Sequence, residues 1–471
     1  MNFLAIDIGA SGGKAFLLSL KDKIYIEEIY RFPNIPVNLN GIDYWNVLDI
    51  YSNILKAIEI SLQKGDLTSV GIDTWGVDFG LLDKSGYMIG MPMHYRNAYK
   101  FNSMSKALDK VGKRWIFDRS PTQFQPFNTL YQIIGMKDLK MKAIECASTL
   151  LGIPSLFVYF LTERKAIEFT FATTTQIYNP YLKDWDKEII KVFDLGDIFP
   201  EIVNPSTIAG DVKLSGKKFK VIFPATHDTG AAFACVNDDD AMIISAGTWF
   251  LEGILSKMPV KNKDVMKYNL ANEGCIDGGY RLLSQVTGMW LIEELRRKWN
   301  GIEYERLIEM AKSAKPFSGM IDVDSADLQK PEDMEIAIIK ESEKFGKHIK
   351  SRNEVVRTAF EGIALKTKWS LERLEEVSGR KIKKVRMVGG ATRNKLICQF
   401  ISNSTGLAVE AGPIEATAIG NGLSQMIAND QIGLDDIPDL VGRSFEISRY
   451  DPQNIEEWQE AYEKWRMAYS A

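Results

Sequence analysis

Two stretches of this chain repeat one pattern, in which an apolar strand is followed by a turn of small residues and a second apolar strand. They occupy residues 3–20 and 241–251 and indicate an internal duplication. The length of 471 residues also exceeds what one hydrophobic core usually fills. We therefore expect two domains, residues 1–233 and 234–471, with the boundary at the polar turn of residues 237–240 and a cleft between the domains.

The composition is that of an ordinary globular protein, with 45% hydrophobic and 25% charged residues. A net charge of −4 without a long basic run argues against nucleic acid as a partner. Because no apolar run reaches membrane-spanning length and the chain starts in a strand-like stretch, we expect a cytoplasmic protein that does not bind membranes. The four cysteines are expected to be buried thiols, and the three histidines lack zinc-site spacing.

Hydrophobic periodicity alternates between strands and helices, which predicts an α/β fold. Residues 3–20 are typical of a β-hairpin, and residues 49–63 of an amphipathic helix followed by a buried strand at 69–73. Residues 79–89 predict two strands joined by an Asp-Lys-Ser-Gly turn. A long helix is predicted over residues 357–377, before a strand and the second of two glycine turns.

The first glycine turn is Ala10-Ser-Gly-Gly-Lys14, directly after the first strand. Backbone amides in such a turn can point at phosphate oxygens, because no large side chain keeps the phosphate from the main chain. The turn matches neither the P-loop nor the dinucleotide-binding pattern, and the alternative is a hairpin turn that needs glycine for positive φ. Asp7, at the end of the strand, would either hold a water-coordinated Mg²⁺ or cap the turn.

The second glycine turn, Val388-Gly-Gly-Ala-Thr-Arg-Asn394, lies between a predicted strand and a predicted helix. Its glycines would let a nucleotide lie against the backbone near a helix N-terminus. The same pattern also makes an ordinary strand-to-helix turn, so this segment alone leaves both interpretations open.

Asp228 lies among small residues in Pro224-Ala-Thr-His-Asp-Thr-Gly-Ala-Ala232, where its carboxylate can approach a substrate hydroxyl as a general base. The alternative is an acid that caps the following helix. The order of phosphate turn, acid and second phosphate turn, divided between two half-chains, favours an ATP-dependent kinase that acts on an alcohol. Trp75 is the one tryptophan to which we give a ligand role, whereas His94 and Arg96 face either the cleft or solvent.

Several segments are together similar to the FGGY carbohydrate kinases, and among them to the rhamnulokinases. The resemblance covers residues 1–425, whereas residues 426–471 match nothing that we can place. The segments are, in chain order, Ile6-Asp-Ile-Gly-Ala-Ser-Gly-Gly-Lys14, Gly71-Ile-Asp-Thr-Trp-Gly-Val-Asp-Phe79, Gln125-Pro-Phe-Asn-Thr-Leu-Tyr-Gln132, Ala172-Thr-Thr-Thr-Gln-Ile177, Ala225-Thr-His-Asp-Thr229, Ser245-Ala-Gly-Thr-Trp249, Asn272-Glu-Gly274 and Ala411-Gly-Pro-Ile-Glu-Ala416.

The resemblance implies two ribonuclease H-like domains of the actin-like ATPase fold, with ATP and sugar meeting in an interdomain cleft. It also implies a role for each matching residue. The ATP phosphates would contact Ala10, Ser11, Gly12, Gly13 and Lys14, the γ-phosphate region Thr248, and other parts of the nucleotide Glu293, Gly390 and Asn394; Mg²⁺ would be positioned by Asp7; the sugar would contact Gly76, His227, Asp228, Thr229 and Gln285, with Asp228 as proton acceptor.

The reaction implied is phosphoryl transfer from MgATP to the 1-hydroxyl of a ketose, with L-rhamnulose as the leading candidate. The enzyme is expected to be a monomer or homodimer. The chain departs from the family pattern at Lys14, often Arg, and at Ala391, often Gly. It also departs from the rhamnulokinases at Gln285, where they carry Asn, and at Glu293, where they carry Gln. L-fuculose, L-xylulose or L-ribulose therefore stay open as substrates, as does a nucleotide-gated protein without sugar chemistry.

Overall fold

The computed structural model describes residues 1–469, in which strands and helices alternate as the sequence predicts. The strands are β1 Asn2–Gly9, β2 Gly12–Leu20, β3 Ile24–Pro33, β4 Val37–Leu39, β5 Ile42–Tyr44, β6 Ser69–Thr74, β7 Phe79–Leu82, β8 Thr149–Gly152, β9 Ala166–Glu168, β10 Tyr178–Asn179, β11 Asp184–Trp185, β12 Glu201–Val203, β13 Thr207–Leu214, β14 Lys217–Phe223, β15 Ala241–Ala246, β16 Trp249–Ser256, β17 Ala271–Gly274, β18 Tyr280–Thr287, β19 Lys384–Val388, β20 Val409–Ala411 and β21 Ser448–Tyr450.

The helices include a long one, α15, that begins five residues before the predicted start at residue 357. They are α1 Val47–Lys64, α2 Ser103–Val111, α3 Lys113–Phe117, α4 Thr129–Asp138, α5 Lys142–Cys146, α6 Ile153–Thr162, α7 Phe169–Ala172, α8 Lys187–Val192, α9 Asp228–Ala234, α10 Lys263–Lys267, α11 Trp290–Lys298, α12 Tyr304–Ser313, α13 Ala326–Gln329, α14 Met334–Lys344, α15 Arg352–Ser378, α16 Lys395–Thr405, α17 Ala416–Ala428, α18 Ile437–Ser444 and α19 Ile455–Tyr469. Within residues 1–469, no helix combines the length and the apolar character that crossing a bilayer requires.

The chain divides into two compact units, each assembled from three segments. The first unit contains Met1–Asn237, Leu255–Leu282 and Ala416–Ser444. The second contains Asp238–Ile254, Leu283–Glu415 and Phe445–Ala471, of which residues 470 and 471 lie outside the described part. The interdomain cleft stays a prediction.

The sheet of the first unit has the strand order β13-β14-β6-β1-β2-β3. Strands β1 and β2 form the predicted antiparallel hairpin, and β6 pairs in parallel with both β1 and β14. The β1–β6 register sets Asp7 beside Asp73. Because carboxyl ends of parallel strands meet at one edge of a sheet, this pairing brings two acids together.

The second sheet has the order β17-β18-β16-β15-β19-β20-β21, and β15 pairs antiparallel with β16 and parallel with β19. Its central strands thus repeat the arrangement around β1, where an antiparallel hairpin partner lies on one side and a parallel strand on the other. The repeat read from residues 3–20 and 241–251 is therefore a repeat of topology.

Helix α17 packs against β1, β6 and α9 in the first unit. A Cβ atom on Gly420 would lie 1.8 Å from the carbonyl oxygen of Ala231, so only glycine allows this close approach of α17 to α9. Two amide side chains of α17 bond to the sheet, Gln425 to the carbonyl of Leu4 at 2.9 Å and Asn421 to Asp73 at 2.6 Å. The helix therefore fixes the strand that carries Asp73.

One local prediction is wrong and another holds only in part. The predicted turn in residues 79–89 is present, since the N–H of Gly86 donates to the carbonyl of Asp83 and the N–H of Asp83 to that of Tyr87, but the second strand is reduced to an isolated bridge of Met88 with Leu82. The one strand, β7, pairs with the distant β8. Both faces of β7 are buried, and a partner that adds apolar surface stabilises such a strand better than the short polar hairpin. Cys146 is exposed, although the other three cysteines are buried as expected.

Candidate active site

Three carboxylates lie near one another in the first unit: Asp7 on β1, Asp73 on β6 and Asp228 at the start of α9. Asp73 is fully buried. Its pKa is raised well above the ordinary value, first by burial and then by the negative charge of Asp7, with a smaller contribution from Asp228. Asn421 donates to its Oδ2, whereas Oδ1 has no hydrogen-bond partner among the described residues.

These residues fit Mg²⁺ held through its water shell. No three acidic, cysteine or histidine side chains in residues 1–469 converge closely enough to hold one metal ion directly. Mg²⁺ keeps several waters and prefers carboxylate oxygens, and the buried Oδ1 of Asp73 offers such an oxygen. The sequence motifs indicate Asp7 but not Asp73, although the acid at the end of the predicted strand 69–73 is the signal that points to it.

Asp228 is the first residue of α9, and its side chain is about one-third exposed, at 36%. Its Oδ1 accepts hydrogen bonds from the backbone N–H of Thr229 at 2.5 Å and from the Thr229 hydroxyl at 3.1 Å. No residue of the described chain donates to Oδ2. The capping interpretation and the base interpretation are thus compatible, because each uses a different carboxylate oxygen.

His227 precedes the acid and is nearly buried. Its Nε2 lies 3.4 Å from Oδ1 of Asp228, and its Nδ1 lies 2.8 Å from Nη2 of Arg281. Arg281 also donates to Oε2 of Glu273 at 2.6 Å and to the carbonyl of Gly274. Burial alone raises the pKa of Glu273, but the positive charge of Arg281 outweighs burial and holds that pKa at about 2.

The strand end before the acid is held by the buried Glu168. Its carboxylate accepts hydrogen bonds from the backbone N–H and hydroxyl of both Thr170 and Thr226. The Thr170 hydroxyl in turn accepts from the backbone N–H of His227 at 3.1 Å. A fully hydrogen-bonded buried network of this kind gives residues 226–228 one defined position.

Gly76 lies beside the histidine ring. A Cβ atom at this position would lie 3.3 Å from Nε2 of His227 and 3.1 Å from the side chain of Thr174, so glycine keeps the approach to this ring nitrogen open. The next residue, Val77, has φ 67°, which a β-branched residue rarely adopts. Hydrogen bonds from Val77 N–H to Thr174 and from Thr129 to the Val77 carbonyl hold this strained position. Backbone strain of this kind is typical of functional sites.

Asp78, which sequence reasoning did not assign, is buried among aromatic rings. Both tryptophan indoles donate to its Oδ2, Trp45 at 2.6 Å and Trp75 at 2.9 Å, together with the backbone N–H of Tyr95 at 3.1 Å. Gln132 donates to Oδ1 at 2.8 Å. Burial raises the pKa of Asp78 to about 7.

The two indoles lie 4.0 Å apart by ring centroid, and the buried His94 stacks on Trp45 at 4.1 Å. Burial lowers the pKa of His94 to about 4. Arg96 is exposed, in agreement with the surface alternative. Burial raises the pKa of Tyr95 against the lowering effect of Arg96, and the negative charges of Asp78 and then of Asp228 raise it further, so the aromatic cluster lies near the proposed base.

The first glycine turn is a hairpin turn between β1 and β2. Gly12 and Gly13 are not in the left-handed region, so the proposed need for positive φ is wrong. Both glycines are instead required by packing against Phe32 of β3: a Cβ on Gly12 would lie 2.9 Å from its carbonyl oxygen, and one on Gly13 would lie 2.2 Å from its ring. Contact with phosphate stays a prediction for residues 10–14.

In the second unit, Gly389 follows β19 with φ 95°, and a Cβ there would lie 2.9 Å from the carbonyl oxygen of Ala246. Gly390 has open space around it. Asn394 caps α16, since its Oδ1 accepts from the N–H groups of Leu396 and Ile397. Its buried Nδ2 has no partner in residues 1–469, which leaves one donor for a ligand.

The other proposed ligand residues of the second unit lie on separate elements. Thr248 is exposed in the turn between β15 and β16. Glu293 is in the first turn of α11 and pairs with Arg296 at 3.1 Å. Gln285 lies on β18 and is half-buried. Their contacts with nucleotide and sugar stay predictions.

Two family models match most of this chain. The N-terminal domain model of the FGGY family of carbohydrate kinases matches residues 2–234, and the C-terminal domain model of that family matches residues 242–429. This chain belongs to the FGGY family of carbohydrate kinases. The predicted resemblance and enzyme class are thereby confirmed, and the FGGY kinase uses ATP to phosphorylate a sugar.

Curated relatives cover nearly the whole FGGY kinase. The rhamnulokinase of Bacteroides thetaiotaomicron is 34% identical over 474 residues, which span 98% of this chain and 98% of the relative. The rhamnulokinase of Oceanobacillus iheyensis is 34% identical over 469 residues, spanning 96% and 99%.

Solved structures confirm the fold class. The xylulose kinase of Lactobacillus acidophilus matches with a TM-score of 0.84 at 15% identity, over 100% of this chain and 98% of the other. The glycerol kinase of Plasmodium falciparum with ADP matches with a TM-score of 0.82 at 16% identity, over 100% and 97%. The FGGY kinase therefore has the predicted α/β fold with two ribonuclease H-like domains of the actin-like ATPase class.

Proposed function

We propose that this FGGY kinase phosphorylates L-rhamnulose at its 1-hydroxyl and releases L-rhamnulose 1-phosphate and ADP. Near full-length similarity to two rhamnulokinases supports this substrate. The observation that carries the chemistry is Asp228, whose Oδ1 is engaged by its own helix while Oδ2 accepts from no described residue. An acid in this state can accept the proton of a hydroxyl that attacks phosphorus.

Residues of the first unit would place the sugar. Gly76 leaves room beside Nε2 of His227, and the Thr229 hydroxyl lies next to Asp228. Phosphoryl transfer depends mainly on alignment and on neutralised charge, so the fixed positions of these groups matter more than the strength of the base. The aromatic rings around Asp78 would form one wall of the proposed sugar pocket.

The nucleotide would contact residues 10–14, Thr248, Glu293, Gly390 and Asn394. Mg²⁺, when bound near Asp7 and Asp73, would supply positive charge beside the phosphates. The unpartnered Nδ2 of Asn394 and the open space at Gly390 support the adenosine assignment. Because its second substrate is ATP, we place the reaction in the cytoplasm.

A coupled assay of ADP release with L-rhamnulose, L-fuculose, L-xylulose and L-ribulose tests the substrate. We expect the highest kcat/KM with L-rhamnulose and a product whose phosphorus couples to the C1 protons in a phosphorus–proton NMR spectrum. A kcat/KM at least about tenfold higher with another ketose would make that ketose, and not L-rhamnulose, the proposed substrate. A rate of ATP hydrolysis that does not change when any of these sugars is added would instead favour a nucleotide-gated protein without sugar chemistry.

We propose that Gln285 sets the preference of the enzyme among ketoses, because Gln reaches one methylene farther than the Asn of the rhamnulokinases. A misplaced hydrogen bond to a buried hydroxyl costs about 1–3 kcal/mol. Gln285→Asn should therefore raise kcat/KM for L-rhamnulose relative to the next best ketose, and an unchanged ratio would remove Gln285 from this role.

A further inference from the structure

Two buried charged residues contact the ring of His227 on the side away from the proposed base. Arg281 is fully buried, and its Nη2 lies 2.8 Å from Nδ1 of His227. Glu273 is also buried, and its Oε2 lies 2.6 Å from Arg281 and 3.3 Å from the same ring nitrogen. The opposite ring nitrogen, Nε2, lies 3.4 Å from Oδ1 of Asp228. Neither charged residue has a role in the site described above.

The contact with Arg281 decides which ring nitrogen carries the proton. A guanidinium group only donates hydrogen bonds, so its partner at 2.8 Å must accept one. Nδ1 of His227 is therefore the acceptor, and the single proton of the neutral ring lies on Nε2. That N–H then faces the carboxylate of Asp228.

Glu273 alone would favour the opposite arrangement, in which Nδ1 carries the proton and donates to the carboxylate. Its Oε2 is already engaged by Arg281 at 2.6 Å, a shorter contact than the 3.3 Å to the ring. A proton on Nδ1 would also face an Arg281 N–H across 2.8 Å. The closer guanidinium therefore fixes the tautomer, and Glu273 balances its charge.

The surrounding chain holds Arg281 in this position. Its Nη1 donates to the carbonyl of Gly274, the residue after Glu273. A Cβ on Gly230 would lie 3.1 Å from Nη1, so glycine in α9 makes room for the guanidinium. With donors committed to a carboxylate, a carbonyl and a ring nitrogen, the side chain has one orientation.

We propose that Glu273 and Arg281 are positioning residues that hold His227 as its Nε2–H tautomer. This N–H faces the carboxylate of Asp228 across 3.4 Å, is available to donate to the substrate hydroxyl beside it, and so orients that hydroxyl for proton transfer to Asp228. The inference deepens the proposed function and rests on Asp228 as the base. Its first test reads the ring itself and is independent of activity.

Nitrogen-15 NMR of histidine-labelled protein reads the tautomer directly. The chain has three histidines, so the His227 signals can be assigned by their loss in the His227→Gln variant. Spectra at about pH 8.5, above the ordinary titration range of histidine, should show a protonated Nε2 and an unprotonated Nδ1. A proton on Nδ1 would overturn the proposal, whatever the kinetics of Asp228 variants.

Arg281→Lys tests the positioning role. Lysine lacks the forked guanidinium group that contacts both Glu273 and the ring. Oε2 of Glu273 then becomes the nearest partner of Nδ1 of His227, and the ring proton should move from Nε2 to Nδ1. Loss of such a supporting contact typically costs about 10- to 100-fold, and we expect this loss in kcat/KM for the ketose with less than about a threefold change in KM for ATP. A moved proton with unchanged ketose kinetics would overturn the proposal.

Arg357→Lys in the second unit is a matched control. Arg357 also donates to a buried glutamate, Glu361, at 2.6 Å and to a backbone carbonyl, that of Ala311, at 3.0 Å. This variant should lose a comparable amount of thermal stability while the His227 tautomer and the ketose kinetics stay unchanged. An equal kinetic loss in both variants would reduce Arg281 to a structural role.

A second pair of variants decides the question if Arg281→Lys does not fold. The amide nitrogen of glutamine reaches the position of Nε2 in histidine, whereas that of asparagine reaches only Nδ1. His227→Gln should therefore keep at least about tenfold more activity than His227→Asn. Equal activities would contradict an Nε2–H donor.

Discussion

The proposed sugar side in the first unit and the glycine turn of residues 388–394 in the second unit are built differently. On the sugar side, the acids are held by buried side-chain hydrogen bonds, as Glu168 holds residues 226–228. In the glycine turn the backbone itself approaches β15, and Asn394 is the one proposed polar ligand side chain. If each region serves its proposed ligand, proton transfer uses oriented side chains, whereas nucleotide binding uses an accessible main chain.

The largest expected effect separates a catalytic acid from a capping acid. Asp228→Asn keeps the size of the side chain but removes the proton acceptor, so kcat should fall by about 100- to 10,000-fold with little change in ATP affinity. Asp186→Asn is the control, because Asp186 only caps α8 and bonds to Asn179. Steady-state kinetics within about threefold of wild type for Asp228→Asn would remove the residue from this role.

The next effect concerns Asp78, whose carboxylate receives four donors. Asp78→Asn replaces one acceptor oxygen by an NH₂ group, which must face a donor. The variant should lose about 1–3 kcal/mol in urea unfolding and about 5- to 150-fold in kcat/KM for the ketose, with ATP kinetics unchanged. Equal losses for both substrates would contradict a role confined to the sugar side.

A smaller effect is expected in the second unit. Asn394→Ala removes the cap of α16 and the unpartnered Nδ2, so stability should fall by about 0.5–2 kcal/mol and KM for ATP should rise about fivefold. Asn394→Asp keeps the capping oxygen without the donor and separates the two roles. If Asn394→Asp binds ATP like wild type, Nδ2 does not contact the nucleotide.

The smallest effect is a difference in acid sensitivity. The pKa of Glu273 is lowered to about 2 from an ordinary 4.5, because the positive charge of Arg281 outweighs burial. The stability that this carboxylate contributes is fully present above pH 4.5 and is lost as the pH falls toward 2. Urea midpoints between about pH 5 and about pH 3 should therefore fall more steeply for wild type than for Glu273→Gln, and equal slopes would contradict the buried ion pair.

Local patterns predicted much of the fold. Hairpin β1–β2, helix α15 and strand β19 follow from hydrophobic periodicity, which acts over neighbouring residues. The strand partner of β7 could not be predicted, because it lies about 70 residues along the chain. Pairing at such separation depends on burial in the folded unit.

The candidate site shows the same limit. Asp228 and both glycine turns are visible as motifs. Asp73 becomes part of the site only through the register of β1 with β6, and Arg281 only through its contact with His227, 54 residues away. Long-range contacts of this kind leave no spacing signal in a single sequence.

Amide hydrogen exchange with one ligand at a time tests whether the two regions serve different ligands. We predict that L-rhamnulose alone slows exchange in residues 224–232 and leaves residues 388–394 unchanged. MgADP alone should slow exchange in residues 388–394 and leave 224–232 unchanged. Protection of residues 388–394 by the sugar, or of residues 224–232 by MgADP alone, would contradict the account.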